Sequence, residues 1–199
     1  MSPRTAIASQ QIRDARRDAI VAAARRVFAR NGLAATRTSD IAAEARISQG
    51  LLYHYFPTKE DLFTEIVEAA MRETVALTTR AAQAPGQAWV RLQDLCEQMR
   101  DGVLEYPEYP LVILQAHTSD AVPQKARSVI QTLGQYTFEA LVALVSQAQA
   151  EGTVVRGDPV ELTIAFTACI QGLALSRLQS ANETPTLPTA QTLLRLLRA

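Results

Sequence analysis

The chain has 199 residues, of which 48% are hydrophobic and 20% charged, a composition typical of globular proteins that excludes an intrinsically disordered one. No apolar run close to the roughly 20 residues of a membrane span is evident. The stretch from Met1 to Gln11 is polar and lacks the apolar segment of a secretory signal. Cys96 and Cys169 form no CxxC pair. We therefore expect a cytoplasmic protein with two buried thiols and no membrane partner.

The net charge is zero, but the charges are distributed unevenly along the chain. Residues 1–59 contain ten basic and four acidic residues, a net charge of +6, and residues 60–199 contain ten basic and sixteen acidic residues, a net charge of −6. A basic N-terminal segment on an acidic body is expected when one end of a protein meets nucleic-acid phosphates. A solvated helical surface would give the same pattern, so charge alone leaves both interpretations open.

Helix-forming residues dominate the chain, and no stretch shows the apolar–polar alternation of a strand. The first predicted helix runs from about Arg13 to Arg30, and Gly32 is suited to the left-handed position that ends it. Two short helices, described next, come after it. Beyond them, helices are predicted at about 86–105, 123–151 and 159–179, with a short one that follows the break at 106–110 and ends at about 117. A loop at 180–188 and a last short helix at 193–197 follow.

Two short helices separated by a tight break follow the first helix. A polar start at residues 36–40 precedes a helix with buried Ile41, and Ser48 can cap a helix from Gln49 to about Phe56. Pro57 then breaks the chain, and a fourth helix begins with a near-match to a capping box, in which Thr58 is followed three residues later by Asp61. Two short helices joined by a three-residue turn predict a helix-turn-helix, whose second helix enters the major groove of DNA.

The run from Thr36 to Leu62, TRTSDIAAEARISQGLLYHYFPTKEDL, resembles the signature of tetracycline-repressor-like (TetR-type) regulators. Those proteins show the pattern IA..AGVS.G.LY.YF..K..L after a first helix with an alanine and a phenylalanine near its end, which Ala24 and Phe28 match. The resemblance covers about residues 14–74, and only the helical layout is similar beyond residue 75.

The resemblance implies an all-α protein with a flexible basic arm (1–13), a three-helix DNA-binding domain (14–74) and a larger helical ligand-binding and dimerisation domain (75–199). It also implies a homodimeric transcriptional regulator, a repressor released from a palindromic double-stranded DNA operator by a small-molecule effector. No cofactor and no metal are expected.

Two positions depart from the family pattern. Arg46 replaces the usual turn glycine, and an arginine at positive φ costs on the order of 1 kcal/mol. The turn could adjust, or Arg46 could offset the cost by contacting a phosphate. Leu51 replaces a small or hydroxyl residue and offers only an apolar contact, such as to a thymine methyl group.

Side-chain chemistry and the matching positions give the candidate DNA-binding residues. Lys59 is expected to hold a phosphate, and Thr38, Tyr53 and Tyr55 are expected to donate hydroxyl hydrogen bonds to phosphates. Gly50 lets the backbone approach DNA or a neighbouring helix closely. The candidates for reading bases are Arg37, Ser39, Gln49 and His54, and Arg46 and Leu51 complete the set. For both tyrosines, core packing with an exposed hydroxyl is the alternative.

The second domain provides two further sets of candidates. The family resemblance implies an effector pocket, and the aromatic and mixed residues that could line it are Trp89, Tyr106, Tyr109, His117, Tyr136, Phe138 and Phe166, with ordinary core as the alternative. The last two helices carry more apolar surface than a monomer is expected to bury, and the candidate dimer residues are Leu162, Phe166, Cys169, Leu173, Leu193, Leu194 and Leu197. The alternative is that these helices close the core of one monomer.

An enzyme is the main competing class. The sequence contains no GxSxG, GxxxxGK[ST], HExxH or GxGxxG motif, and neither His54 nor His117 has an obvious nucleophile or acid partner in the sequence. A helical interaction module that does not bind DNA is the other alternative. The basic segment with Lys59 and Tyr53 argues against it.

Overall fold

The structure is a computed structural model that describes residues 3–179 and 187–199, so most of the predicted loop at 180–188 lies outside the described residues. The described part is helical, as predicted, and its one extended pairing is an isolated bridge between Val154 and Arg198. The helices are α1 (Pro3–Ala35), α2 (Thr38–Glu44), α3 (Gln49–Tyr55), α4 (Lys59–Gln83), α5 (Ala88–Glu105), α6 (Glu108–Thr118), α7 (Gln124–Ala150), α8 (Pro159–Gln179), α9 (Ala190–Leu193) and a 3₁₀ turn (Leu194–Leu196).

The chain forms two compact units. The first contains the residues up to Ala69 together with Val112–Ser128, and the second contains Ala70–Leu111 and the residues from Val129 onward. The predicted boundary lies at residue 74, and nothing in the sequence indicated that residues 112–128 group with the N-terminal residues. Part of the reason is a polar contact, because Gln115 Nε2 donates to the Ala29 carbonyl at 3.2 Å.

The N-terminal unit has a core built on helical periodicity. The α1 residues Ile20 and Phe28 are fully buried, and Phe28 packs edge-to-face on Phe63 of α4 at a centroid distance of 5.2 Å. Ile41 of α2 and Leu52 of α3 are buried too. Each of the four helices thus contributes an apolar side chain, which fixes the short α2 and α3 although neither is long enough to be stable alone.

Helix α1 is longer than predicted. It begins at Pro3 rather than near Arg13, so the expected flexible arm at 1–13 is helical from that residue on. Proline is favoured at the first helical position, and the alanines, glutamines and arginines that follow are good helix formers even without a buried stripe. At the other end Gly32 has a positive φ of 74°, which favours glycine, but its ψ of 164° is not that of the predicted left-handed cap, and a last helical turn continues to Ala35.

The C-terminal unit has its own apolar core, in which α5 packs against α8 and α9. Leu92, Leu95, Leu141, Leu144 and Leu194 are at most 1% exposed within it. Its polar contacts include Glu151, whose two carboxylate oxygens share the one N–H of Ala88 at 3.0 and 2.8 Å and so fix the start of α5 against the end of α7.

Four of the seven candidate dimer residues belong to this core. Phe166 (3% exposed), Leu173 (4%), Leu194 (0%) and Leu197 (1%) pack within the unit, and Leu162, Cys169 and Leu193 are partly buried. For those four side chains the alternative of closing the monomer core is correct. Helix α8 is apolar on most of its circumference, so periodicity could not tell which face meets α5.

The exposed face of α8 carries a different apolar set. Val160, Ile164 and Leu175 are 40%, 54% and 47% exposed, and Ala168 is exposed between them. Spacings of four, four and seven residues place all four on one side of a helix. By length and composition Pro159–Arg177 would pass as a membrane span, with a mean hydropathy of 1.3 and 28% of its residues buried, although one such helix is weak evidence for a span. This corrects the sequence-based expectation that no run is apolar enough.

Candidate nucleic-acid interface

The turn between α2 and α3 has the hydrogen bonds of a Schellman motif. The amide of Arg46 donates to the Ala43 carbonyl at 3.1 Å, and the amide of Ile47 donates to the Ala42 carbonyl at 3.0 Å. Arg46 occupies the position that glycine usually takes and has φ 55°. The turn therefore keeps its geometry despite the substitution, and the arginine bears a cost of about 1 kcal/mol.

Helix α3 starts and ends as the sequence predicts. Ser48 Oγ accepts a hydrogen bond from the Leu51 amide at 3.2 Å, the expected N-cap. Leu52 and Phe56 are 2% and 4% exposed and attach the helix to the unit. The next cap is also confirmed, because Thr58 Oγ1 accepts a hydrogen bond from the Asp61 amide at 3.0 Å and donates to its carboxylate.

With Leu52 and Phe56 buried, the opposite side of α3 faces solvent. The exposed residues there are Gln49, Gly50, Tyr53 and His54, and Leu51 and Tyr55 are half-buried. At the start of α2, Arg37 is exposed, and Thr38 and Ser39 are half-buried. The structure thus brings these sequence candidates to the solvent-accessible surface of the two short helices.

Tyr53 links the two helices. Its hydroxyl lies 3.1 Å from Thr38 Oγ1, and its side chain remains 49% exposed. This hydrogen bond fixes the tyrosine ring, so both hydroxyls are presented together. The alternative of simple core packing is excluded for Tyr53, while the half-buried Tyr55 contacts His54 edge-to-face at 5.6 Å.

Lys59 has a different environment from the one expected. Its Nζ donates to the carbonyls of Leu33, Ala34 and Thr36 at 2.9, 3.4 and 2.7 Å. A lysine ammonium has three donors, so these bonds use all of them. Lys59 therefore caps the C-terminal end of α1, where a positive charge is favourable, and has no donor left for a phosphate in this conformation.

Several arginines of α1 are neutralised inside the unit. Arg26 and Arg30 donate to Glu44 at 2.7 and 2.8 Å, and their hydrogen bonds hold the pKa of this carboxyl below its ordinary value, with Arg26 the larger contributor. Arg17 pairs with Glu65 and lies over the Phe56 ring at 4.9 Å. These arginines tie α1 to α2, α3 and α4 and so brace the helix-turn-helix, which their sequence positions did not reveal.

None of the proposed effector-pocket residues lines either of the two clefts that are described below. Trp89 and Phe166 lie in the core of the C-terminal unit, where Trp89 stacks under the Arg198 guanidinium at 5.1 Å. His117 is exposed and belongs to the N-terminal unit. Of the rest, Tyr106 contacts Tyr109 at 6.1 Å, and Tyr136 is 54% exposed and Phe138 half-buried on α7. Ordinary core is thus the correct interpretation for Trp89 and Phe166.

An open cleft of about 580 Å³ lies elsewhere in the C-terminal unit. It is lined by Arg72, Val75, Ala76, Thr79, Arg80 and Gln83 of α4 and by Leu133 of α7. This cleft was not predicted from the sequence. The pattern that could have indicated it is the pair of arginines spaced eight residues apart on one helix face.

A buried N-terminal core that carries an exposed, capped α3 defines a helix-turn-helix DNA-binding protein. Residues 20–66 match the family model for bacterial regulatory proteins of the tetR family. The chain is 25% identical to the HTH-type transcriptional repressor NicS of Pseudomonas putida over 152 residues, which cover 75% of this chain and 70% of that protein. Both matches support a TetR-type transcriptional regulator, with the family model covering the helix-turn-helix region.

Solved structures share the fold. A TetR-family transcriptional regulator from Agrobacterium tumefaciens superposes with a TM-score of 0.76 at 18% identity, covering 94% of this chain and 99% of that one. A transcriptional regulator from Saccharomonospora viridis in complex with choline gives a TM-score of 0.70 at 21% identity, covering 92% and 97%. At these identities the likeness concerns the fold.

Proposed function

We propose that the protein is a homodimeric repressor that binds a palindromic operator through α3 and leaves it when a small molecule binds. The observation that carries this proposal is the exposed face of α3, where Gln49, Gly50, Tyr53 and His54 point away from an anchored helix. Such a helix fits the major groove and brings hydrogen-bonding side chains to base edges. We place the activity in the cytoplasm, with the DNA.

Gly50 supports this assignment. A Cβ built on Gly50 would meet nothing within 4 Å, so internal packing does not require glycine there. Glycine weakens a helix interior by about 1 kcal/mol relative to alanine. Its presence on the exposed face is explained if the space beside it is taken by DNA.

Selection of duplexes from a random-sequence library tests the proposal. We expect wild-type protein to enrich a palindrome with two half-sites, and Gln49→Ala or His54→Ala to relax preference at particular base pairs. Each lost base contact costs roughly 1–3 kcal/mol at that pair, because the discrimination comes from direct hydrogen bonds. Binding to point-substituted operators measures it.

Lys125→Met is a suitable control for that experiment, because this lysine is exposed on α7 in the same unit and is not part of the helix-turn-helix. Its base preferences should equal those of wild type. A uniform loss over all operator variants with Gln49→Ala would assign Gln49 to phosphate positioning, and failure to enrich any duplex would refute the function.

The apolar stripe on α8 supports the homodimer. Val160, Ile164, Ala168 and Leu175 expose apolar surface along a single helix face, which is costly in water. A second copy of α8 placed by two-fold symmetry would cover the same residues on both chains. We prefer this occupant to a lipid bilayer because the opposite face of α8 is built into the core through Phe166 and Leu173.

The cleft on α4 and α7 is the best-supported effector site. Arg72 and Arg80 lie about 12 Å apart along α4 by helix geometry, on either side of Val75, Ala76 and the Leu133 side chain. Two cations around an apolar floor favour an acid with an apolar body. The choline complex of the S. viridis protein supports small-molecule binding in this fold and indicates nothing about the charge of the effector here.

Decanoate and the uncharged decanol test this site. We expect decanoate to weaken operator binding and raise Tm more than decanol does, because only the carboxylate can pair with Arg80. Arg80→Gln should remove that difference, while Arg156→Gln, an exposed arginine outside the cleft, should keep it. Equal responses of the wild type to decanoate and decanol would refute an acidic effector in this cleft.

A further inference from the structure

A second cleft, of about 320 Å³, lies in the N-terminal unit beside the helix-turn-helix. Arg16, Ala19 and Ile20 of α1 form one side, and the other is formed by Ala45, Arg46 and Ile47 of the turn together with Leu51 of α3. Two guanidinium groups and no carboxylate line it. Its lining therefore favours an anion.

The cations of this cleft differ from their neighbours. Arg17, Arg26 and Arg30 pair with Glu65 or Glu44. Arg16 and Arg46 are both exposed, and within the described part of the chain neither guanidinium group has a hydrogen bond or an ion pair. Glu44 and Glu65 are thus paired with other arginines, and the guanidinium groups of Arg16 and Arg46 remain without a carboxylate partner among the described residues.

The backbone of Arg46 gives a second, independent observation. It adopts φ 55° in a complete Schellman motif, where glycine would meet no steric cost. Among the described residues, no contact with the Arg46 side chain offsets the steric cost of its positive φ. A contact with a partner outside the chain would offset that cost.

We propose that Arg16 and Arg46 form a phosphate-binding cleft that holds the DNA backbone bordering the groove read by α3. The inference rests on the proposed DNA-binding function and adds a contact to it. Leu51 lies in the first turn of α3 and lines the cleft. When α3 inserts into the major groove, the DNA strand that borders the groove therefore runs past the opening of the cleft. Two guanidinium forks around one site match the geometry of a phosphate.

The test compares Arg46→Gly and Arg16→Gln with wild type on the duplex that wild-type protein selects. Each variant should lose on the order of tenfold in affinity near 0.1 M salt and lower the slope of log K against log salt by about one unit, because one phosphate contact is lost. Arg46→Gly should keep or raise Tm, because it relieves the left-handed strain. If Arg46→Gly binds DNA more weakly while its Tm is equal to or higher than that of wild type, Arg46 contacts DNA and does not act by stabilising the fold.

Arg156→Gln removes an equal charge in the C-terminal unit and should leave the slope unchanged. An unchanged slope in both cleft variants, with wild type still binding, would overturn this inference and leave the proposed function intact. Absence of duplex binding by wild type would overturn both.

Inorganic phosphate tests the other source of the anion. If it weakens wild-type binding more than chloride does at equal ionic strength, while the variant slopes stay at the wild-type value, the cleft takes free phosphate and the DNA assignment is wrong.

Discussion

Replacing Ile164 and Leu175 together with glutamate is expected to convert the protein into folded monomers that bind the operator at least 100-fold more weakly. Both side chains are about half exposed on α8, so the charges do not disturb the core of the unit. In a two-fold dimer the same charges face their own copies and repel. A monomer has only one DNA-binding domain, so it loses the affinity gained when two linked domains bind one operator, which is commonly 10²–10⁴-fold. Light scattering and operator titration measure the two effects.

Val90→Glu is the matched control, because Val90 is 47% exposed on α5 and lies outside the stripe. It should stay dimeric and bind normally. Phe166→Glu, by contrast, should unfold the C-terminal unit, since Phe166 is 3% exposed in its core. A dimer that persists in the Ile164→Glu, Leu175→Glu protein would place the interface elsewhere and refute this stripe.

Lys59→Met is expected to lower the stability of the N-terminal unit by about 2 kcal/mol in the absence of DNA, because a charged donor to backbone carbonyls is worth roughly 1.5–3 kcal/mol. The three carbonyls at the end of α1 lose their partner, and the junction between α1 and α4 loosens. The salt slope of DNA binding should stay close to the wild-type value, since the ammonium donors of Lys59 are already bonded to backbone carbonyls. Thermal unfolding and salt titration measure these quantities.

Lys125→Met is the control again, because the exposed Lys125 belongs to the same unit and caps no helix. Its stability should equal that of wild type. The original sequence-based assignment makes the opposite prediction for Lys59→Met, with unchanged stability and a salt slope lowered by about one unit. That second result would show that Lys59 leaves its cap to hold a phosphate.

Local features of the helix-turn-helix could be predicted from the sequence because each depends on neighbours only a few residues apart. Ser48 caps α3, Thr58 and Asp61 form the next cap, and Gly32 takes positive φ. The family motif extended these predictions to the class of protein. The residues exposed on α3 followed as well, since anchoring Leu52 and Phe56 leaves one face free.

Other features depended on which elements meet in three dimensions. Lys59 is a helix cap only because α4 begins next to the end of α1, and Phe166 is core only because that face of α8 meets α5. The cleft of Arg16 and Arg46 joins residues thirty positions apart. The sequence by itself thus determined the helical class, the local caps at Ser48 and Thr58 and the DNA-binding class. Only the tertiary structure decided which charges are paired and which apolar faces stay exposed, because both depend on packing between segments distant in the chain.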